Sequence, residues 1–70
     1  MQGSWRTIAE CHRVLSEASA AELAGLSLVH FRRLRRQRRG PRFVQLSERR
    51  LGYRLGDVVD WIDERVSDAA

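Results

Sequence analysis

Two helices that cross closely need a small residue where they touch and a residue free to turn between them. Residues 17–34 supply both. Ala21 lies one helical turn before Gly25, and Ala20, Ala24, Leu26, Phe31 and Leu34 fall where a helix-turn-helix keeps its apolar residues. Ser16 precedes the first helix as an N-cap, with Glu17 in the first turn, where the helix dipole favours an acid. Ser19 with Glu22 offers a rival capping box. Gly25 ends this helix after Ala24, and Ser27 can cap the next one. A plain pair of antiparallel helices would share the apolar pattern, but nothing in it would require what the second helix carries.

That second helix begins the stretch LVHFRRLRRQRR, residues 28–39. Seven of the thirteen arginines fall from Arg32 to Arg42, and the chain has no lysine. At about 100° per residue, Phe31 and Leu34 share one face while Val29, Arg32, Arg33 and Arg36 share the opposite one. A solvated charge run is the plain alternative, but such a run has no reason to be two-faced. Guanidinium is a planar fork that bonds bidentately to phosphate and to the O6/N7 edge of guanine, and a helix fits the major groove of B-form DNA. We therefore expect a recognition helix reading double-stranded DNA through Ser27, Leu28, Val29, His30, Arg32, Arg33 and Arg36, with His30 at its flank. Arg35 and Arg38 turn toward the core side, where acids of the last helix or a flanking phosphate would meet them.

Seventy residues allow one small domain. A chain of that size buries only about 60% of the surface its unfolded form exposes, which disfavours a deep catalytic cleft. The net charge of +4 is unevenly spread. Residues 1–56 hold twelve arginines against Glu10, Glu17, Glu22 and Glu48, a net +8, whereas residues 57–70 hold Arg65 against Asp57, Asp60, Asp63, Glu64 and Asp68, a net −4. A basic body of this kind favours a polyanionic partner. The single Cys11 has no disulfide partner, and with the adjacent His12 it lacks the third group that a nucleophile or a zinc site requires. No enzyme activity, metal or cofactor is expected. No apolar leader follows the start and no run approaches the ~18 apolar residues of a membrane span, so a cytoplasmic protein with no membrane partner is expected.

Along the rest of the chain, Trp5, Ile8, Ala9 and His12 keep helical spacing, so residues 1–14 form either a short amphipathic helix or an arm, with residues 1–4 loose. Gly40 and Pro41 stop the arginine helix. Residues 43–46 and 51–55 then read as two short strands joined by the four-residue loop 47–50, a hairpin that must lie against the helices because two strands alone are marginal in water. Asp57 caps a last helix whose apolar side is Val58, Val59, Trp61, Ile62 and Val66. Trp61 is expected in the core, and Tyr53 there with its hydroxyl at the edge. The fold class is mostly α with a small β-hairpin: helix-turn-helix, two-stranded wing, C-terminal helix. A DNA-binding domain spanning 15–66 follows the N-terminal segment, and 67–70 form a tail.

This order of features resembles the small winged-helix proteins of the MerR-like superfamily, in particular the AlpA-type regulators and the excisionases of phages and integrative elements. The resemblance covers residues 15–66. It rests on Leu15 and Ser16, on Ala21 with Gly25, Leu26 and Ser27, and on Arg33. It rests further on the run from Arg39 through Gly40, Pro41, Arg42 and Phe43 to Val44, and on Gly52, Tyr53 and Arg54 followed by Asp57, Val58, Trp61 and Ile62. At Leu28 and Val29 the family usually carries small polar or basic residues, and at Ser19 an acid or amide. The resemblance implies a recognition helix in the major groove and a wing reaching the adjacent minor groove. It implies a non-catalytic recombination directionality factor that binds beside attachment sites, bends DNA and steers an integrase toward excision, or else a transcription regulator of the same fold. Either would be bacterial and nucleoid-associated, or encoded by a phage or mobile element.

Arg49 and Arg50 at the hairpin tip suit a narrow minor groove, and Arg39 and Arg42 complete the wing and flank contacts. The acidic helix carrying Asp57, Asp60, Asp63 and Glu64 suggests head-to-tail self-association on DNA, against the arginines of a neighbouring copy. A protein-interaction module docking an acidic partner is the remaining class.

Overall fold

The computed structural model describes residues 8–66. Trp5, the expected loose start at 1–4 and the expected tail at 67–70 lie outside the described residues. Four helices and three strands follow one another as α1 (Ile8–His12), β1 (Val14–Ser16), α2 (Glu17–Ala24), α3 (Leu28–Arg36), β2 (Val44–Ser47), β3 (Arg50–Arg54) and α4 (Leu55–Asp63). They make a slab of 38 × 32 × 17 Å.

Both helix starts in the middle of the chain form as their serines predict. The Ser16 hydroxyl accepts from the Ser19 amide at 3.1 Å, and the Ser27 hydroxyl accepts from the His30 amide at 3.1 Å. Ser19 is thus the recipient of the first cap rather than a cap itself. Gly25 closes α2 in the left-handed region at φ 74°, and the amides of Gly25 and Leu26 donate back to the carbonyls of Glu22 and Ala21. Such a closure satisfies end carbonyls at no steric cost only for glycine.

The core is small. Ala20, Ala21, Phe31, Tyr53 and Val58 are fully buried, with Leu15, Ala24, Leu26, Leu51 and Ile62 packed against them. Phe31 fixes α3 to the rest. Its ring lies 5.0 Å from that of Tyr53 and meets the edge of Trp61 at 6.3 Å. Full burial of one such ring stabilises by about 1.5–3 kcal/mol before packing geometry is counted.

The expected two-stranded wing is one part of a three-stranded antiparallel sheet of order β1-β3-β2. Leu15 pairs with Tyr53 and Ser16 with Gly52, so β1 covers an edge that a lone hairpin would leave unpaired. The hairpin loop is tighter than the four residues expected, because Ser47 and Arg50 themselves pair, leaving Glu48 and Arg49 at the turn. The register shifts between Gln45 and Ser47, and the Gln45 amide fills the irregularity by donating to the carbonyls of Ser47 and Arg50. Gly52, in the central strand, has no room for a side chain. A Cβ there would sit 2.6 Å from Val14 Cγ1 and 3.0 Å from the Leu15 carbonyl oxygen.

Two helix boundaries differ from expectation. α3 stops at Arg36, four residues short of Gly40, because Arg38 adopts a left-handed conformation with φ 59°. The amides of Arg38 and Arg39 then donate to the carbonyls of Arg35 and Leu34. α4 begins at Leu55 after Arg54, without a side-chain cap. Asp57 lies within its first turn and pairs with Arg54 at 2.9 Å, while the Leu55 amide is satisfied by the Arg13 carbonyl at 2.7 Å. That bond and the approach of Gly56 to the Cys11 backbone seat α1 against α4. No helix among the described residues is long and apolar enough to cross a membrane.

Candidate nucleic-acid interface

With Phe31 buried and Leu28, Leu34 and Arg35 half-buried, the outward arc of α3 runs through Arg32, Arg36, Val29, Arg33 and His30, all exposed. Val29 is 65% exposed, a large apolar side chain held in water at the centre of this arc. The helix presenting it is closed by hydrogen bonds at both ends. Ser27 caps its start, and the reversal at Arg38 and Arg39 closes its end. Three arginines in its last turn also favour the negative end of the helix dipole.

The arginines of α3 divide into two groups. Arg33 and Arg36 make no ion pair among the described residues and stand in solvent. Arg32 and Arg35 both converge on Glu17 at the start of α2. Arg32 donates through Nε and Nη2 to Glu17 Oε1 at 3.3 and 3.1 Å, and Arg35 Nε lies 3.6 Å from Glu17 Oε2. This corrects two expectations. Arg32 is not a wholly free member of the arginine face, and Arg35 meets an acid of α2 rather than of the last helix. Nothing in the sequence pattern marks Glu17 beyond its first-turn place, since the contact exists only because α2 and α3 cross. With Nε and Nη2 turned to Glu17, only Nη1 of Arg32 makes no hydrogen bond among the described residues.

Beneath this cluster Tyr53 is fully buried, hydroxyl included; that hydroxyl makes no hydrogen bond of good geometry among the described residues, although the Arg35 side chain lies near enough to act on it. It is not at the edge of the core, as the sequence suggested. Burial pushes its pKa above the ordinary value of 10.0, with the positive charge of Arg35 opposing the shift. Glu17 Oε2 and Arg35 Nε are likewise enclosed without a hydrogen bond.

Beyond α3, a second arrangement anchors the connecting strap. The Arg39 carbonyl accepts from the Trp61 indole at 2.9 Å and from Arg65 at 3.1 Å. The Arg65 guanidinium in turn stacks 4.0 Å over the Trp61 ring. The side chains of Arg39 and Arg42 remain exposed, as do Arg49 and Arg50 around the hairpin turn. The acids of α4 are engaged within the chain. Asp57 pairs with Arg54 and Glu64 lies 3.9 Å from Arg65, while Asp60 and Asp63 also have interactions of their own. The role expected for all four, facing a neighbouring copy, would require these contacts to be exchanged. No cluster of metal-ligating side chains occurs among the described residues.

No protein-family model, no curated protein and no solved structure matches this chain.

Proposed function

We propose that the chain is a sequence-specific double-stranded DNA-binding protein of the winged helix-turn-helix kind. In this reading α2 and α3 are the helix pair, α3 enters the major groove, and the β2–β3 hairpin is the wing. The observation that carries it is the capped, core-anchored α3 whose exposed arc holds Arg33 and Arg36, unpaired among the described residues, with Arg32 half-bound and Val29 bare. Unpaired guanidiniums on a capped helix suit base edges and phosphates, and an exposed valine suits a thymine methyl group. Arg49 and Arg50 would approach the minor groove, and Arg39 and Arg42 the backbone between. The family resemblance extends the proposal to its role: a recombination directionality factor that binds beside attachment sites, bends the DNA and assists an integrase without catalysis of its own.

A mobility-shift titration against an attachment-site duplex and a random duplex tests this. Four to seven phosphate contacts should give a slope of log affinity against log salt of about −4 to −6. Affinity that barely changes from low to moderate salt, or absence of duplex binding, would overturn the reading. Tight site-specific binding that leaves integrase-driven excision unchanged, and instead silences a promoter, would replace the excision role with that of a transcription regulator.

A further inference from the structure

Three arginines converge where the chain leaves α3. Arg35 from the last turn of the helix, Arg38 just beyond it and Arg42 from the strap line one open cleft of about 380 Å³, together with Gly40, Pro41 and the Phe43 ring. No acidic side chain lines it. The acids of α4 border a different cleft, where Asp57, Asp60 and Glu64 lie with Trp61, and only Gly40, Pro41 and Arg42 are common to both.

Two independent features single out the basic cleft. The first is excess positive charge, since of the three arginines only Arg35 has an acidic partner, Glu17 at 3.6 Å from its Nε. The Arg35 guanidinium lies over Phe43, 5.9 Å from its ring centre, and its enclosed Nε makes no hydrogen bond among the described residues. Arg38 and Arg42 have no ion pair among the described residues. Like charges around a concave, partly apolar wall focus a positive potential into it. The second is backbone geometry. Arg38 is the non-glycine residue with positive φ among those described, at a helix end where glycine is the usual occupant. An arginine kept in that conformation projects its side chain at the rim of the cleft, and such local strain is commonly held at functional positions.

A tetrahedral oxyanion satisfies this geometry, because its several acceptor oxygens can take guanidinium donors from different directions at once. We propose that the cleft lined by Arg35, Arg38 and Arg42 is a phosphate-binding site that takes one backbone phosphate of the duplex beside the exposed arc of α3. The proposal deepens the DNA-binding reading and rests on it for the source of the phosphate. In that position the phosphate would set how far α3 sits along the groove, while Arg33 and Arg36 meet the bases.

The test uses the full chain and a double variant, Arg38→Asn with Arg42→Gln, since asparagine tolerates the left-handed conformation. Thermal melting checks that the variant is folded. Random-duplex affinity is then measured across a salt series. Loss of one phosphate contact should make the slope shallower by about 0.9 and weaken binding on the order of tenfold at moderate salt. In parallel, the arginine Nε–Hε NMR resonances of the unmodified protein are followed as pyrophosphate is added against chloride at matched ionic strength. Shifts confined to Arg35, Arg38 and Arg42 support the cleft. Duplex binding with an unchanged slope in the variant and unmoved cleft resonances would overturn the cleft and leave the α3 reading standing. A shallower slope without shifts at Arg35 would also overturn it, as a general loss of charge. Shifts at the cleft with no duplex binding would keep the phosphate site, assign it to a free anion, and overturn the proposed function. Neither shifts nor duplex binding would overturn both.

Discussion

The Trp61 indole donates to the Arg39 carbonyl at 2.9 Å, joining α4 to the strap that follows α3 across 22 residues of sequence. Arg65 shares the same acceptor. Replacing Trp61 with Phe keeps an aromatic edge against Phe31 but removes the donor. The carbonyl would retain Arg65, so the expected cost is modest, about 0.5–1.5 kcal/mol. That corresponds to a fall in melting temperature of roughly 2–12 °C for a domain of this size. An unchanged melting curve would show that the bond adds nothing to stability.

Gly52 gives a sharper test. Gly52→Ala forces a methyl group into the 2.6 Å gap to Val14 Cγ1 and the 3.0 Å gap to the Leu15 carbonyl. Overpacking of this kind costs about 1–3 kcal/mol. Adding Val14→Ala should recover part of the loss but not all, because the carbonyl is backbone and stays. Denaturant midpoints of the two variants measure the difference, and full recovery would mean that β1 moves freely.

Tyr53 predicts a pH dependence. Burial raises its pKa in the folded chain, whereas the unfolded chain ionises near 10. Below that pH both states hold the proton and stability is at its full value. Above it only the unfolded state loses the proton, so stability declines as pH rises toward the folded value. Tyr53→Phe removes a hydroxyl that has no hydrogen bond of good geometry among the described residues, so it should cost little at neutral pH and flatten this alkaline decline. Tyr53 is the only tyrosine, so phenolate absorbance reports it directly. A titration midpoint at or below 10 would contradict the burial argument.

Glu17 restrains two arginines at once. Glu17→Gln should cost about 1–2 kcal/mol of stability. Little of that passes through Arg32, whose side chain is 45% exposed and screened by solvent. Most passes through Arg35, whose enclosed Nε loses its acidic neighbour. Binding should change as well. Freed of the carboxylate, Arg32 could reach a phosphate, so affinity for random duplex should rise and the salt slope steepen by about 0.9, while discrimination between sequences falls. Equal losses on all duplexes would instead mark Glu17 as only a helix anchor.

The free pair on α3 should behave differently from the hairpin tip. Arg33→Ala or Arg36→Ala is expected to cost about 1–3 kcal/mol of binding and relax base preference. Arg49→Ala with Arg50→Ala should weaken binding on all sequences, or mainly at A·T-rich flanks. Competition assays with single-base variants of the site separate the two. If the hairpin change altered base preference and the helix changes did not, the assignment of grooves would be reversed.

What could be read from the chain was what is decided locally. The caps at Ser16 and Ser27, the turn at Gly25 and the inward place of Phe31 depend on neighbours within a few residues, so spacing alone reveals them. β1 was not legible, because three residues carry no alternation to detect, and Val14 and Leu15 become a strand only against β3. The end of α3 was misplaced because Gly40 and Pro41 are the usual breakers, whereas the backbone reverses at Arg38, a residue type that gives no sign of it. Asp57 looked like a cap, but the strand–helix junction holds it one turn too late and gives it Arg54 as partner. The link from Glu17 to Arg32 spans 15 residues and two helices, and no periodicity encodes a crossing.

The early closure of α3 limits how much information one molecule can read. Nine helical residues span about 13.5 Å at 1.5 Å per residue, the length of roughly four base-pair steps at 3.4 Å each. A four-letter word recurs about once every 250 base pairs by chance, far too often to mark one locus among the ~10⁶ or more competing sites of a genome. If α3 reads DNA as proposed, the address must be written as a phrase: several short words at fixed spacing, read together by several copies or by a copy and its partner.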